Sequence, residues 1–352
     1  MKTDLTKPAA LFKSIKRTFE EAEEACGGCI DRFYKIGGYI VRLRFSGPAL
    51  VAFISSALQH LTSAPVKTPE LTVCLFDSAS TGVNMPPPPW SPEDYLPRGE
   101  VHGYKDEHIH TIFQPWSGVL NMIDMKADLA FYWISDASQV PYYETGAPLQ
   151  TILHIWMQDH GRLLVHAGAV GTAEGGVLFA GKGGSGKSTI ALACLNSDLF
   201  YAGDDYILLA DDPMPFAYSL YNSGKLDSGH IHSIAHLSSI ACNSERSDGE
   251  KILIFLQDHF PDKIISGFPI RAILLPSITG TDRVTLTPTS PAMALKALAP
   301  STIFQLPEAG PKTFYKIAKL VKLIPCYTLE MGPDLSKVPS MILRLSSGDC
   351  IS

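Results

Sequence analysis

The chain has 352 residues, 45% hydrophobic and 18% charged, and 29 basic against 35 acidic residues leave a formal net charge of -6. Such a length predicts two domains at about 150 residues each, and such a composition excludes a disordered chain. The mildly acidic balance lacks the footprint of a nucleic-acid binder, and no run reaches the ~20 apolar residues of a membrane-spanning helix, so neither nucleic acid nor membrane is an expected partner.

Met1–Leu5 has no apolar core behind its charges, which argues against a secretory signal and for a cytoplasmic protein. Residues 7–25 predict a helix: Thr6 is placed to cap it, Pro8 is tolerated in the first turn, and Leu11, Phe12, Ile15 and Phe19 share one face. Gly27-Gly28 ends it. Cys26 and Cys29 around those glycines have CxxC spacing, but zinc would need two more ligands and no second CxxC exists. Seven scattered cysteines argue against a disulfide framework. A strand is expected over 39–45, a helix over 48–61 and a buried strand over 71–76. Pro86–Pro89 with Trp90 read as a stiff surface connection rather than an SH3-type ligand. Residues 100–140 hold several short strand-like runs, among which His108 and His110, beside Asp106 and Glu107, read as polar loop. A helix over 147–159, with Leu149, Ile152, Leu153 and Trp156 on one face, sets a boundary near 145. The expected division is a mixed α+β N-terminal domain over 1–145 and a second domain over 146–352.

From Leu163 the character changes. Apolar strands are predicted over 163–170 and 176–180, joined by a glycine-rich turn, then a helix over 188–195. A strand over 199–202 ends in Gly203-Asp204-Asp205, and Tyr206–Leu209 continues as another apolar run. A strand over 271–275, helices near 291–298 and 312–323, a strand near 327–330 and a last helix near 337–346 complete an α/β domain. His230, His232 and His236 form an HxHxxxH pattern with no cysteine or acid pair at ligand spacing, and read as polar loop rather than a zinc site.

The segment Gly181-Lys182-Gly183-Gly184-Ser185-Gly186-Lys187-Ser188 fits G-x-x-x-x-G-K-[ST] at every fixed position, between the strand-like Val177–Ala180 and the helix-like Ile190–Ala193. Glycines let successive N–H groups turn inward around a phosphate without Cβ clashes. Lys187 is expected to reach the β and γ phosphates, the Ser188 hydroxyl to ligate Mg²⁺, and Thr189 to complete the nucleotide-binding run. ATP with Mg²⁺ is the expected ligand.

Asp204 and Asp205 sit at the end of a predicted strand, where α/β sheets place functional groups. Two adjacent carboxylates there could hold Mg²⁺ and take a proton from an attacking hydroxyl; they also suit a helix cap or turn. His166, inside an apolar strand, reads by itself as a satisfied core residue. Together, Leu164-Val165-His166-Ala167, the loop Gly181–Ser188 and Ala202-Gly203-Asp204-Asp205 resemble the catalytic core of the HPr kinase/phosphorylase family. The resemblance covers residues 163–206 closely. It implies a catalytic role for His166, a base role for Asp205 toward an acceptor serine, and a place near the metal for Asp204. The chain departs from the family at Ala167, where His-Gly is usual, and has no match to the family's glutamate and arginine–glycine signature after Asp205. Tyr221-Asn222-Ser223-Gly224-Lys225 lies there instead, and Lys225 reads as an exposed loop lysine, with a phosphate contact as the alternative.

The layout is also similar to HPr-kinase-related proteins of peptide natural-product systems, some of which phosphorylate a serine on a precursor peptide. The expected function is therefore phosphoryl transfer from ATP to a serine of a peptide or protein. The alternatives are a kinase of a small hydroxyl metabolite, and a nucleotide-binding regulator that transfers nothing.

Overall fold

A computed structural model describes residues 6–226, 251–279 and 283–347 of the chain. They fall into two compact units: one runs to Trp156 and takes in Leu306–Glu308, the other comprises Met157–Gln305 and the chain from Ala309 onward.

The first unit begins with α1 (Lys7–Ala25), where the Thr6 hydroxyl accepts from the Ala9 N–H at 3.3 Å. Gly27 and Gly28, at φ 70° and 125°, turn the chain out of the helix at angles that other residues avoid. The strands that follow are β1 (Cys29–Ile36), β2 (Tyr39–Ser46), β3 (Leu71–Asp77), β4 (Ile109–Gln114), β5 (Val119–Asp124) and β6 (Leu129–Ile134). They form one mixed sheet in the order β1-β2-β3-β6-β5-β4, parallel at β2/β3 and β3/β6 and antiparallel elsewhere. The apolar face of α1 lies on this sheet: Phe12 meets Phe131 edge-on at 5.1 Å between ring centroids, and Phe19 meets Phe76 at 5.9 Å. Such pairs add about 0.5–1.5 kcal/mol each beyond the area they bury.

Two expectations are corrected in this unit. The helix predicted over 48–61 is a short α2 (Val51–Ser55) followed by a 3-10 turn, Ser56–Leu61. The Ser56 hydroxyl donates to the Ala52 carbonyl at 2.8 Å, a side-chain bond that competes with continuation of the α-helix. His110 is not in a loop but in β4, with Nδ1 3.6 Å from a Glu308 oxygen. The proline run lies on its own unit, since Tyr104 donates to the Pro89 carbonyl at 2.9 Å and Trp90 Nε1 to the Tyr95 hydroxyl at 3.0 Å. After α3 (Ser78–Thr81) and α4 (Tyr142–Gly146), α5 (Gln150–Asp159) carries the chain across the division at Trp156.

The second unit contains β7 (Leu163–Val165), β8 (Gly168–Thr172), β9 (Gly175–Phe179), α6 (Lys187–Ala193), β10 (Phe200–Gly203), β11 (Ile207–Ala210) and β12 (Phe216–Tyr218). Then come β13 (Ser223–Leu226), β14 (Ile252–Phe255), β15 (Gly267–Ile278), β16 (Thr285–Pro288), α7 (Pro291–Ile303), α8 (Pro311–Val321), β17 (Cys326–Met331) and α9 (Val338–Ser346). The long β15 organises them. Its first residues pair antiparallel with β12, and its later ones lie parallel to both β9 and β17. On the β9 side the order continues through β8 to β10, and on the β12 side through β11 to β7. Alternate residues of β9 face opposite ways, as the two-residue period requires. Val177 and Phe179 pack with Ile190 and Leu192 of α6 and Ile342 of α9, while Leu178 packs with Leu298 of α7 and Ile317 of α8. The sheet is thus covered on both faces, which matches the α/β expectation for this part of the chain.

The strand expected over 163–170 is two strands. β7 joins β11, β8 joins β9 and β10, and the chain bends between them at His166. The His166 N–H, freed from any ladder, donates to the Thr302 hydroxyl at 3.1 Å.

Candidate functional site

The glycine loop leaves β9 at Ala180 and enters α6 at Lys187. Gly184 and Gly186 hold φ of 76° and 93°, and a Cβ on Gly181 would lie 2.5 Å from Ser185 Oγ. These positions need glycine for the curl itself. Lys187, only 5% exposed, folds back over the loop and donates to the carbonyls of Gly181 at 2.8 Å and Lys182 at 3.2 Å. Burial lowers its pKa and the nearby Lys251 lowers it further, against the opposing pull of Asp205 and Asp204. Ser185 Oγ is buried with no hydrogen-bond partner among the described residues. A bound anion would satisfy such a donor.

Asp204 and Asp205 follow β10 directly and face different surroundings. Asp204 is 2% exposed; its Oδ2 accepts the Lys225 N–H at 3.0 Å, and its Oδ1 has no partner among the described residues. Burial, helped by the neighbouring Asp205, raises its pKa to about 6, with Lys225 and the Ser188 hydroxyl working in the other direction. Asp205 stands at the edge of open space with its side chain 24% exposed. Its Oδ1 lies 3.2 Å from His166 Nε2, and its Oδ2 accepts from Lys225 Nζ at 2.7 Å. Burial opposes its ionisation, but Lys225 and then His166 hold its carboxyl well below the usual range. The His166 ring in turn lies over Tyr206, centroid to centroid at 5.5 Å.

The raised pKa of Asp204 has a stability consequence. Between its unfolded value near 3.8 and its folded value of about 6, the unfolded chain releases this proton first. Asp204 therefore costs the nucleotide-free protein stability as pH rises through that window, and the whole cost persists above it. Asp204→Asn removes the charge and keeps an oxygen for the Lys225 N–H. Thermal melts should show the variant more stable than the parent at pH 8, by roughly 1–3 kcal/mol, with the two converging below pH 4. A variant less stable at pH 8 would show that the fold pairs this charge.

Gly183–Thr189, His166, Asp205 and Lys225 line one cavity of about 1310 Å³. Gly181 and Lys182 take part through their carbonyls, and Asp204 lies behind the wall, outside the lining. Lys251, Lys263, Phe260, Met331 and Asp334 also line the cavity, and none of them is marked in the sequence by spacing or motif. The reading of Lys225 as an exposed loop lysine is wrong. It is in β13, 8% exposed, and engages both aspartates at once.

No group of three or more His, Cys, Asp or Glu that could hold a metal is found among the described residues. Cys26 and Cys29 are free thiols, and burial pushes that of Cys29 up to about 11. His230, His232 and His236 lie outside the described residues. Among the described residues no helix is long and apolar enough to cross a membrane.

No family model matches the chain, and no curated protein matches it. Among solved structures it is similar to the Hpr(Ser) kinase/phosphatase from Coxiella burnetii, with 14% identity, a TM-score of 0.30, and coverage of 53% of this chain and 88% of that one.

Proposed function

We propose that the second unit is a phosphotransferase that takes the terminal phosphoryl group of ATP, bound with Mg²⁺ on Gly181–Thr189, to the serine hydroxyl of a peptide or protein. The observation that carries this reading is the placement of Asp205. Its carboxylate, held between His166 and Lys225, stands on the wall of the same cavity that the glycine loop lines. A charged, oriented carboxylate beside a loop built for anions is the arrangement that deprotonation of an acceptor hydroxyl requires.

Ser188 and Asp204 fit a magnesium ion: a hydroxyl and a carboxylate are hard oxygen donors, and the buried Asp204 Oδ1 lacks any other partner among the described residues. The ion, when bound, neutralises charge on the phosphates. In this reading the loop amides and the Lys187 ammonium bind the β and γ phosphates, which costs Lys187 its contacts to the Gly181 and Lys182 carbonyls. Asp205 accepts the hydroxyl proton as the oxygen bonds to the γ phosphorus. The bond between that phosphorus and the β–γ bridging oxygen breaks, and ADP leaves with the electron pair. His166 holds Asp205 in orientation.

Incubation with γ-labelled ATP and parallel panels of serine peptides, their alanine counterparts and small hydroxyl metabolites tests the proposal. Label is expected on serine peptides alone. Label on a metabolite would reassign the acceptor, and label on nothing, with ATP bound intact, would favour a regulator. Asp204→Asn is expected to need more Mg²⁺ for half-maximal transfer, read from a magnesium titration at saturating ATP.

A further inference from the structure

The proposed reaction brings negative charge into a cavity where one lysine is already committed to a carboxylate. Lys225 Nζ lies 2.7 Å from Asp205 Oδ2 with its side chain 9% exposed, and a buried ammonium is costly without a partner. The backbone beneath that ammonium is held firmly. The Lys225 N–H donates to Asp204, β13 pairs along its whole length with β14, and a Cβ on Gly224 would come within 2.8 Å of Leu192 of α6. The strand is thus seated on the helix that carries the glycine loop, so the Lys225 charge changes direction by rotation of its four-carbon arm and not by movement of its backbone. Asp205, meanwhile, has a second partner in His166, so releasing the lysine does not strand its carboxylate. Lys187, which lines the same cavity, is occupied with the loop carbonyls.

We propose that Lys225 is the residue that distinguishes a nucleoside triphosphate from a diphosphate: it rests on Asp205 until a terminal phosphate draws its ammonium away. The proposal depends on nucleotide binding at Gly181–Thr189. It adds that ATP binding and the release of Asp205 to the acceptor hydroxyl are one event, so the base is freed only when there is a phosphoryl group to transfer. ADP, lacking the third phosphate, leaves the ion pair closed.

Calorimetry with Mg-ATP and Mg-ADP on the full chain separates this from a purely structural ion pair. Lys225→Met keeps the length of the side chain and removes its charge. It should lose roughly 10- to 100-fold in ATP affinity while ADP affinity stays within about threefold. Lys187→Ala should lose both nucleotides. Asp205→Asn alone should bind ATP roughly 3- to 10-fold more tightly than the parent, because the lysine no longer has to leave a carboxylate, with ADP unchanged. The double variant Asp205→Asn with Lys225→Met removes the pair without leaving a lone buried charge. It should melt close to the parent and still show the lost preference for ATP. An unchanged ATP-to-ADP ratio in Lys225→Met and in the double variant would reduce Lys225 to a strut. A parent protein that binds neither nucleotide would end the glycine-loop reading itself, whatever the lysine variants do.

Discussion

Asp205→Asn is expected to bind Mg-ATP at least as tightly as the parent and to transfer phosphate roughly 10²- to 10⁴-fold more slowly, about 3–5 kcal/mol of added barrier. Asparagine matches the size of the carboxylate, and its carbonyl oxygen can still accept one hydrogen bond, from Lys225 or from His166. It cannot take a proton from a hydroxyl. The measurement is single-turnover transfer with a saturating acceptor, beside a thermal melt. If Asp205 were only a capping or turn residue, the variant would lose stability and its transfer rate would follow the folded fraction. Parental rates in a well-folded variant would remove the base assignment and, with it, most of the argument for hydroxyl phosphorylation.

Lys187→Ala should lose affinity and turnover together. Lys187 is 5% exposed, and in the empty loop its ammonium donates to two carbonyls that cannot match a phosphate's charge. With a triphosphate bound it becomes a buried charge pair, and truncating one partner of such a pair costs about 2–4 kcal/mol, roughly 30- to 1,000-fold in affinity. The folding cost should be smaller, because the two carbonyls it leaves belong to a loop that water can reach. Calorimetry on a variant shown to be folded decides the matter. Unchanged Mg-ATP affinity would mean that the glycine loop is a structural turn.

The parts of this chain legible in its sequence are those whose causes are local. Thr6, Pro8 and the spacing of Leu11, Phe12, Ile15 and Phe19 define α1 from within nineteen residues. The glycine loop is likewise local, because its curl depends on φ angles at Gly184 and Gly186 and on one close approach at Gly181. What escaped was decided at a distance. Leu163–Val170 looks like one apolar strand because burial on both faces leaves no alternation to read, and nothing in the run shows that β7 and β8 serve different neighbours. The bend at His166, which turns an apparent core histidine toward Asp205, follows from that tertiary choice. β1 went unmarked because only Tyr34 and Ile36 of its eight residues are buried, as suits an edge strand. Lys225 sits in a strand of Ser, Gly, Lys and Leu with little strand propensity, held by pairing with β14 and by the fit of Gly224 against Leu192. Its partner Asp205 belongs to a different part of the chain, and no spacing rule connects them.

The central place of β15 also governs the order in which this protein can be made. The β8–β9 hairpin, complete at Phe179, can close as soon as it leaves the ribosome, but the parallel neighbour of β9 is not translated until Ile270–Leu274, and the far side of β15 waits for Cys326–Met331. At about 5–20 residues per second, Val177 and Phe179 spend on the order of several seconds without the strand that will flank them. Antiparallel hairpins tolerate such a delay, whereas parallel pairing must first meet the entropy of closing a long loop. Nascent chains halted before β15 should therefore remain sensitive to protease along β9, and protection should arrive there only when the strand from the last third of the chain is in place.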